Sequence, residues 1–184
     1  MTKKVFVKEM MKANPVTAEP FLTAFEVACL MRDKRVGIVN VTEQGHPLGI
    51  ISGQDIIKQV ICEKKNASEV TAEDIMNTPV VVIDPYRPVQ EAWTIMERHH
   101  LEQLPIVEGN QLVGIVTKQD VFQMMPALTE IKQEWATINE SREDSLPGQT
   151  YSGKCEDCDE LSTSLKIVDG RLLCDDCIAG LKNE

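Results

Sequence analysis

Hydrophobic residues along the chain follow two kinds of spacing, and each kind occurs twice. A helical spacing covers roughly Ala24–Lys34 and again Val89–His99, which predicts two amphipathic helices. Shorter apolar runs, bounded by proline, glycine or polar residues, predict strands around both helices. The predicted strands are Pro15–Thr17, Ile38–Thr42 and Leu48–Ile51 in the first half, and Pro79–Ile83, Leu104–Val107 and Leu112–Val116 in the second. A last helix opens at Ser52 or Thr117, so each half has the order strand, helix, strand, strand, helix.

The two halves are copies of one another. An offset of 65 positions aligns residues 21–60 with the second half without a gap. Identities under this offset include Glu26/Glu91, Met31/Met96, Glu43/Glu108, Gly49/Gly114, Ile50/Ile115, Gln54/Gln119 and Asp55/Asp120. So many matches at one offset indicate a duplicated domain. The element order predicts a sheet with helices on one side in each copy.

Both halves carry the same two motifs. A methionine shortly precedes a proline (Met11 before Pro15, Met76 before Pro79), and the junction of strand and last helix reads Gly49-Ile-Ile-Ser-Gly-Gln-Asp55 or Gly114-Ile-Val-Thr-Lys-Gln-Asp120. With these motifs the duplicated region, roughly residues 7–125, resembles tandem CBS domains, also called Bateman modules, of the archaeal type. The resemblance implies a mixed α+β or α/β fold with two repeats related by a pseudo-two-fold axis. It also implies a homodimer and a regulatory protein rather than an enzyme.

The same resemblance implies a ligand, either an adenosine nucleotide or S-adenosylmethionine, in the clefts between the repeats. It assigns the ribose hydroxyls to Asp55 and Asp120. It places phosphate at Ser52 and Thr117, where a helix N-terminus suits an anion. The remaining predicted contacts are the positions that hold the base, which correspond here to Thr17, Ile38, Val82 and Leu104.

A second interpretation of these motifs needs no ligand. Ser-x-x-Asp and Thr-x-x-Asp at the start of an apolar helix are variants of the capping box, worth about 1 kcal/mol per helix. Both interpretations stay open. The basic residues near the expected phosphate positions are Lys118, Lys58, Arg35 and Arg87. So few cations favour a monophosphate or an uncharged adenosine over a ligand with the charge of ATP.

Four of the six cysteines form two pairs near the end of the chain. Cys155 and Cys158 make one C-x-x-C knuckle, Cys174 and Cys177 make the other, and Leu165–Leu173 between them predicts a hairpin with an Asp-Gly turn. This spacing is typical of a ribbon-type metal site. Four thiolates leave no open coordination position, so we expect one structural metal ion.

The cysteine spacing predicts a metal without identifying it, because tetrahedral thiolate sites suit iron as well as zinc. The segment resembles zinc ribbons and, more distantly, rubredoxins. Rubredoxin-like knuckles usually carry glycine after the second cysteine, whereas Asp159 and Ile178 stand here, and this departure favours zinc. Two disulfides or a redox-active C-x-x-C are the alternatives. Disulfides would need an oxidising compartment, and the redox motif would need a βαβ unit.

The net charge of −10 is concentrated towards the end of the chain. Residues 1–125 carry 13 Lys and Arg against 16 Asp and Glu, while residues 126–184 carry 6 against 13. Acidic knuckles and an acidic surface disfavour a nucleic-acid partner. With neither a long apolar run nor a signal peptide, the sequence predicts a soluble, cytoplasmic protein without a membrane partner.

The segment between the repeats and the cysteines carries an apolar stripe over residues 127–142, which predicts a connecting helix with Trp135 as an anchor at a dimer contact. A flexible joint follows up to Thr150. The predicted division is therefore repeat one with its lead-in over 1–71, repeat two over 72–126, connecting helix and linker over 127–150, and metal ribbon over 151–184.

Taken together, these features predict a homodimeric regulatory module whose CBS pair senses an adenosine-type ligand and whose ribbon contacts a protein partner. Two alternatives remain at this point. One is a rubredoxin-like iron protein that transfers electrons, and the other is a dimeric scaffold without a ligand. No nucleophile with a plausible base accompanies these motifs, so catalysis is not expected.

Overall fold

The structure, a computed structural model, describes residues 4–124 and 150–181. The helices are α1 (Ala24–Lys34), α2 (Gly53–Ile56), α3 (Ala72–Ile75), α4 (Val89–Arg98), α5 (Lys118–Met124) and α6 (Asp175–Leu181). The strands are β1 (Lys12–Ala13), β2 (Thr17–Ala18), β3 (Ile38–Glu43), β4 (His46–Ser52), β5 (Val80–Val82), β6 (Gln103–Glu108), β7 (Gln111–Thr117), β8 (Thr150–Lys154), β9 (Leu161–Val168) and β10 (Arg171–Leu173). The predicted connecting helix over 127–142 and the joint before Thr150 lie outside the described residues.

Repeat one is a three-stranded sheet in the order β2, β3, β4, with helices on one face. Helix α1 begins where Thr23 and Glu26 form a capping box, and it ends at Arg35, whose φ of 55° is left-handed. The face of β3 that carries Val39 and Val41 packs against this helix. The last helix of the repeat is irregular, because α2 continues as a π-helical turn over Ile57–Ile61.

Repeat two has the same plan. Strands β6 and β7 form an antiparallel hairpin, and α4 packs on it through Ala92, Ile95 and Met96. Both hairpins carry a register shift at equivalent places, one between Val41 and Thr42 and one between Ile106 and Val107. The predicted fold class, two repeats of mixed helix and strand followed by a small four-cysteine unit, is confirmed.

The segment that precedes each repeat packs on the other repeat. We call these segments the first lead-in (residues 5–14) and the second lead-in (residues 70–79). In the first, Val7 is buried in the core of repeat two and β1 pairs with β7. In the second, Ala72 and Ile75 of α3 are buried in the core of repeat one. Each hydrophobic core is therefore completed by a segment that precedes the other repeat.

The ribbon docks by extending a sheet. Strand β8 pairs antiparallel with β5, in the register Val80 to Ser152 and Val82 to Thr150, which gives the order β10, β9, β8, β5. Strand β5 is also joined to β6 on its other side through Ile83, whose amide donates to the carbonyl of Pro105. The ribbon is thus continuous with the sheet of repeat two. Among the described residues, no helix is both long enough and apolar enough to span a bilayer.

Candidate functional site

Ser52 and Asp55 lie together at the start of α2. The Asp55 carboxylate accepts hydrogen bonds from the Ser52 amide at 2.7 Å and from the Ser52 hydroxyl, while the Asp55 amide donates back to that hydroxyl. This is the reciprocal capping box that the sequence allowed as an alternative to ligand binding. The cap holds the carboxylate in place at a helix N-terminus. One carboxylate can serve as cap and as ligand acceptor at once.

Thr117 and Asp120 repeat this arrangement at the start of α5. The Asp120 carboxylate accepts from the Thr117 amide at 3.0 Å and from its hydroxyl. In addition, the Lys12 ammonium of the first lead-in lies 2.7 Å from Asp120 Oδ1. The Asp120 side chain is 14% exposed and that of Lys12 is 61% exposed, so the cation stands at the solvent side of a half-buried acid.

Asp55 has the equivalent neighbour, because the side chain of Asn77 in the second lead-in donates to it. Lys12 and Asn77 are 65 positions apart, as the two aspartates are. Each aspartate is therefore contacted by the lead-in that runs into the opposite repeat. The fold builds two composite sites: the Asp55 site (Ser52, Asp55 and Asn77) and the Asp120 site (Thr117, Asp120 and Lys12).

Both carboxylates are ionised at neutral pH. Burial alone would raise the pKa of Asp120, but the Lys12 ammonium and the Thr117 hydroxyl outweigh burial and hold the pKa below its ordinary value. Burial likewise opposes ionisation of Asp55, while Ser52 and Asn77 lower its pKa. An ionised carboxylate is a pure acceptor, which suits a pair of ribose hydroxyls.

Sequence reasoning missed Lys12 and Asn77. A signal was present, since the 65-residue offset extends upstream to Met11 and Met76 and pairs Lys12 with Asn77 directly after them. Two of the predicted basic residues have partners of their own. Lys118 Nζ lies 3.0 Å from Glu97, and Arg87 is bonded to Glu91 at 2.7 Å.

The four positions predicted to hold a base differ in accessibility. Thr17 is exposed on β2 and Ile38 is half-buried at the start of β3. Val82 and Leu104 are fully buried, with their side chains in hydrophobic clusters. The position equivalent to Ile38 under the repeat offset is Gln103, which is 6% exposed. Contact of these four residues with a ligand stays a prediction. For Val82 and Leu104 the predicted contact involves backbone atoms only, because their side chains are buried.

The four predicted metal ligands come together in the ribbon. Their sulfur atoms all lie within 4.8 Å of one another. The Sγ atoms of Cys155 and Cys177 are 3.8 Å apart, as are those of Cys158 and Cys174. A tetrahedron with metal–sulfur bonds of about 2.3 Å has edges of about 3.8 Å. The thiols present thus fit a tetrahedral metal ion.

Local structure explains how the knuckles form. Strand β8 leads into Cys155, and a tight turn brings Cys158 back beside it, with the Asp159 amide donating to the carbonyl of Cys155. Asp159 has φ of 59°, a left-handed conformation that favours glycine and that aspartate tolerates. The predicted hairpin is confirmed as β9 and β10, and its end places Cys174 immediately before α6.

Hydrogen bonds prepare one thiol for metal binding. Burial would oppose ionisation of Cys155, yet the backbone amides of Cys158, Asp157 and Cys174 donate towards its sulfur and lower its pKa to about 6. Side-chain hydrogen bonds with the neighbouring sulfurs, Cys174 first, raise the pKa of Cys177, and the charge at Cys155 adds to this. Thiols this close bind a divalent cation as thiolates, because the cation offsets the repulsion among their charges.

A cavity of about 370 Å³ lies where the ribbon meets the second lead-in. Its lining is apolar at Leu48, Met76 and Leu172 and charged at Glu73 and Lys154, which lie 3.7 Å apart. Two further contacts tie the ribbon to the repeats. The Ser152 hydroxyl donates to the carbonyl of Pro47, and Thr163 bonds to Asn110. The ribbon therefore touches both repeats.

Comparison with known proteins covers both the sequence and the fold. Residues 7–61 and 72–127 each match the CBS domain family. An uncharacterised protein from Methanopyrus kandleri is 36% identical over 179 residues, which is 95% of this chain and 91% of the relative. A CBS domain-containing protein from Bacillus subtilis is 33% identical over 115 residues, covering 62% of this chain and 81% of the relative.

Two solved structures with a similar fold hold ligands. A CBS domain protein from Pyrobaculum aerophilum complexed with AMP is 26% identical, with a TM-score of 0.63, and covers 70% of this chain and 99% of its own. A CBS domain pair in complex with 5'-methylthioadenosine and S-adenosyl-L-methionine is 25% identical, with a TM-score of 0.61, and covers 68% of this chain and 99% of its own. Both of these CBS structures thus hold adenosine-containing molecules.

Proposed function

Because this chain belongs to the CBS domain family, we propose that it is a regulatory module that binds an adenosine-type ligand. The observation that carries the proposal is the crosswise pairing of two ionised aspartates, each at a helix N-terminus, with lead-in residues from the opposite side of the molecule. A ligand that bonds such a carboxylate also touches the lead-in. Its binding would therefore change how firmly one repeat holds the other, and this change is the regulatory output.

The residues of the Asp120 site provide the contacts that an adenosine monophosphate needs. Asp120 would accept the ribose hydroxyls, Thr117 and the first amides of α5 would meet phosphate oxygens, and Lys12 would neutralise part of their charge. Thr17 and Ile38 would supply contacts to the base. Among the described residues, Lys12 contacts Asp120, whereas Lys118 beside Thr117 is paired with Glu97. This limited positive charge favours AMP or S-adenosylmethionine over ADP and ATP, which carry more negative charge.

Isothermal titration calorimetry with AMP, ADP, ATP and S-adenosylmethionine tests this function. Loss of a hydrogen-bonded charge costs about 1.5–3 kcal/mol, so Asp120→Ala should lower the affinity for the best ligand about tenfold to a hundredfold. Asp33→Ala is the matched control, since Asp33 is an exposed acid that bonds the neighbouring Arg32. Absence of heat with every one of the four compounds would rule out the sensing function.

The ribbon, in this proposal, holds one structural zinc ion through Cys155, Cys158, Cys174 and Cys177. Zinc here would supply folding energy, because its four bonds join the two knuckles of a small core. A closed tetrahedron of thiolates admits neither substrate nor water, so the site would be structural rather than catalytic. Metal analysis of the purified protein should return one zinc per chain.

A second candidate, an iron site that transfers electrons, has one observation in its favour. Backbone amides donate to a cysteine sulfur, with the Cys174 amide 3.4 Å from Cys155 Sγ, and such bonds tune the potentials of iron–sulfur sites. The visible absorption spectrum separates the two metals. A colourless protein that contains zinc would dismiss electron transfer, whereas a red protein that bleaches on reduction would support it.

A homodimer is the assembly we propose. Among the helices that the structure describes, four large apolar side chains are more than half exposed: Phe25, Ile57, Ile61 and Phe122. Ile57 and Phe122 occupy equivalent positions under the repeat offset, so this apolar surface shares the pseudo-symmetry of the pair and suits an isologous contact. The ribbon, with its acidic knuckles, is then left for a different protein partner. Light scattering of the full chain measures the assembly.

A further inference from the structure

The Asp55 and Asp120 sites have equivalent residues but differ in the strand that follows each lead-in. After Lys12 the chain enters β2, which lies at the edge of its sheet among the described residues, and Thr17 on it is exposed. After Asn77 the chain enters β5, which lies between β6 and the ribbon strand β8. Val82, the counterpart of Thr17, is fully buried. The ribbon therefore covers one of two otherwise equivalent strands.

The position of β8 depends on the cysteine cluster. Strand β8 ends at Lys154, and the next residue is the metal ligand Cys155. The buried residues of the ribbon core are Cys155, Leu165, Leu173 and Cys174, so half of them are metal ligands. A core this small cannot hold a fold by burial alone, and metal–thiolate bonds are what stabilise comparable ribbons. Loss of the metal would therefore release β8 from β5.

We propose that metal loading of the ribbon decides how many ligands the CBS pair accepts. With metal bound, β8 occupies the free edge of β5, and the Asp120 site alone takes the ligand. Without metal, β5 is uncovered and the Asp55 site becomes a second binding site. This inference rests on the proposed function in that the ligand is an adenosine-type molecule. By linkage, a ligand at the Asp55 site weakens metal binding by the same factor by which metal weakens that ligand.

The first test needs no nucleotide. Hydrogen exchange of the full chain, followed by mass spectrometry, is compared between zinc-loaded protein and protein stripped with a chelator. Peptides that contain Val80–Val82 should exchange at least tenfold faster after zinc is removed, while peptides from Val39–Val41 in repeat one should not change. Equal protection of Val80–Val82 in both states would overturn the inference.

The second test counts ligands by calorimetry with AMP. Zinc-loaded protein should bind one AMP per chain and stripped protein two. Asp120→Asn should abolish binding in the loaded state and leave one site in the stripped state. Two sites in the loaded protein, or one site in both states, would overturn the inference. No heat in either state would instead reject the proposed function. The hydrogen-exchange measurement would then decide whether metal binding controls the pairing of β8 with β5.

A variant separates ribbon docking from metal binding. Ser152→Pro places proline in β8 opposite Val80, which disturbs the pairing without changing a cysteine. This variant should keep its zinc and bind two AMP. Ser152→Ala is the matched control, because it removes the bond to Pro47 but keeps the backbone pairing, and it should bind one. Zinc-loaded Ser152→Pro with one site would contradict the inference.

Discussion

The CBS pair and the ribbon are held together by different forces. Each repeat has a cluster of eleven buried residues, all of them hydrophobic, whereas the ribbon has a cluster of four that includes two cysteines. Burial of an aliphatic side chain contributes about 1.5–3 kcal/mol, so the repeats can fold on apolar burial alone. The stability of the ribbon depends instead on coordination of a metal ion by its cysteines. One chain thus contains a region that responds to core substitutions and a region that responds to metal supply.

Removal of one metal ligand should show this difference most strongly. Cys174→Ser is expected to lower bound metal from one per chain to less than 0.1 and to unfold the ribbon, since structural zinc supplies about 10 kcal/mol in comparable units. Metal analysis and limited proteolysis measure the result, and the cleavage sites that the variant gains over the parent protein should fall within residues 150–181. Cys62→Ser is the control, because Cys62 is exposed and far from the knuckles in sequence. Parallel loss of the CBS pair would show that the two regions fold as one.

A core substitution in repeat two should have the opposite pattern. Ile95 is fully buried under the sheet, and Ile95→Ala is expected to lower the free energy of unfolding of the CBS pair by about 2–5 kcal/mol. Urea unfolding followed through tryptophan fluorescence, to which Trp93 of α4 contributes, reports this change. Zinc content should stay at one per chain in the absence of urea. Loss of zinc from the folded variant would contradict the separation of the two regions.

The lead-in lysine gives a smaller effect that concerns the ligand. Lys12→Met removes the cation beside Asp120 and should weaken AMP binding about threefold to tenfold, while binding of adenosine changes little. The reason is that an exposed lysine contributes through charge, and a charge-assisted bond to phosphate adds about 0.7–1.4 kcal/mol, near the upper end for exposed ion pairs. Calorimetry at two salt concentrations measures the affinities of AMP and adenosine for the variant and for the parent protein. Equal losses for AMP and adenosine would assign Lys12 to packing rather than to phosphate.

The smallest expected effect is on pH dependence within the repeats. The pKa of Asp55 and of Asp120 is lower in the folded protein than the ordinary value of about 3.9. Their caps therefore stabilise the fold above about pH 4, and this contribution is lost as the pH falls through the folded pKa. Each cap is worth about 1 kcal/mol. In Asp120→Asn, the decrease in unfolding free energy between pH 5 and pH 2.5 should be smaller than in the parent protein.

Much of this molecule could be predicted from its sequence because the signals are local. Helix α1 has the predicted bounds, since the capping box at Thr23 and the basic last turn are encoded within the helix itself. The ribbon hairpin follows equally directly from the Asp169-Gly170 turn. The spacing of the four cysteines was sufficient to predict that their sulfur atoms lie together.

The relations between distant segments were not predictable in the same way. Nothing local to Lys12 indicates that it lies beside Asp120, because that contact depends on the exchange of lead-ins between repeats. The pairing of β5 with β8 is equally hidden, since an apolar run such as Val80–Val82 fits any free sheet edge. The π-helical turn at Ile57–Ile61 also departs from the regular helix that the periodicity predicted.

The exchanged lead-ins also decide whether one repeat can exist alone. A single repeat with its own lead-in has an incomplete core, because the missing residues belong to the lead-in of a second repeat. Two identical single-repeat chains would therefore complete each other's cores. Placing both repeats in one chain makes that association intramolecular. It also allows the two halves to differ, so that β5 pairs with the ribbon while β2 stays at the edge of its sheet among the described residues.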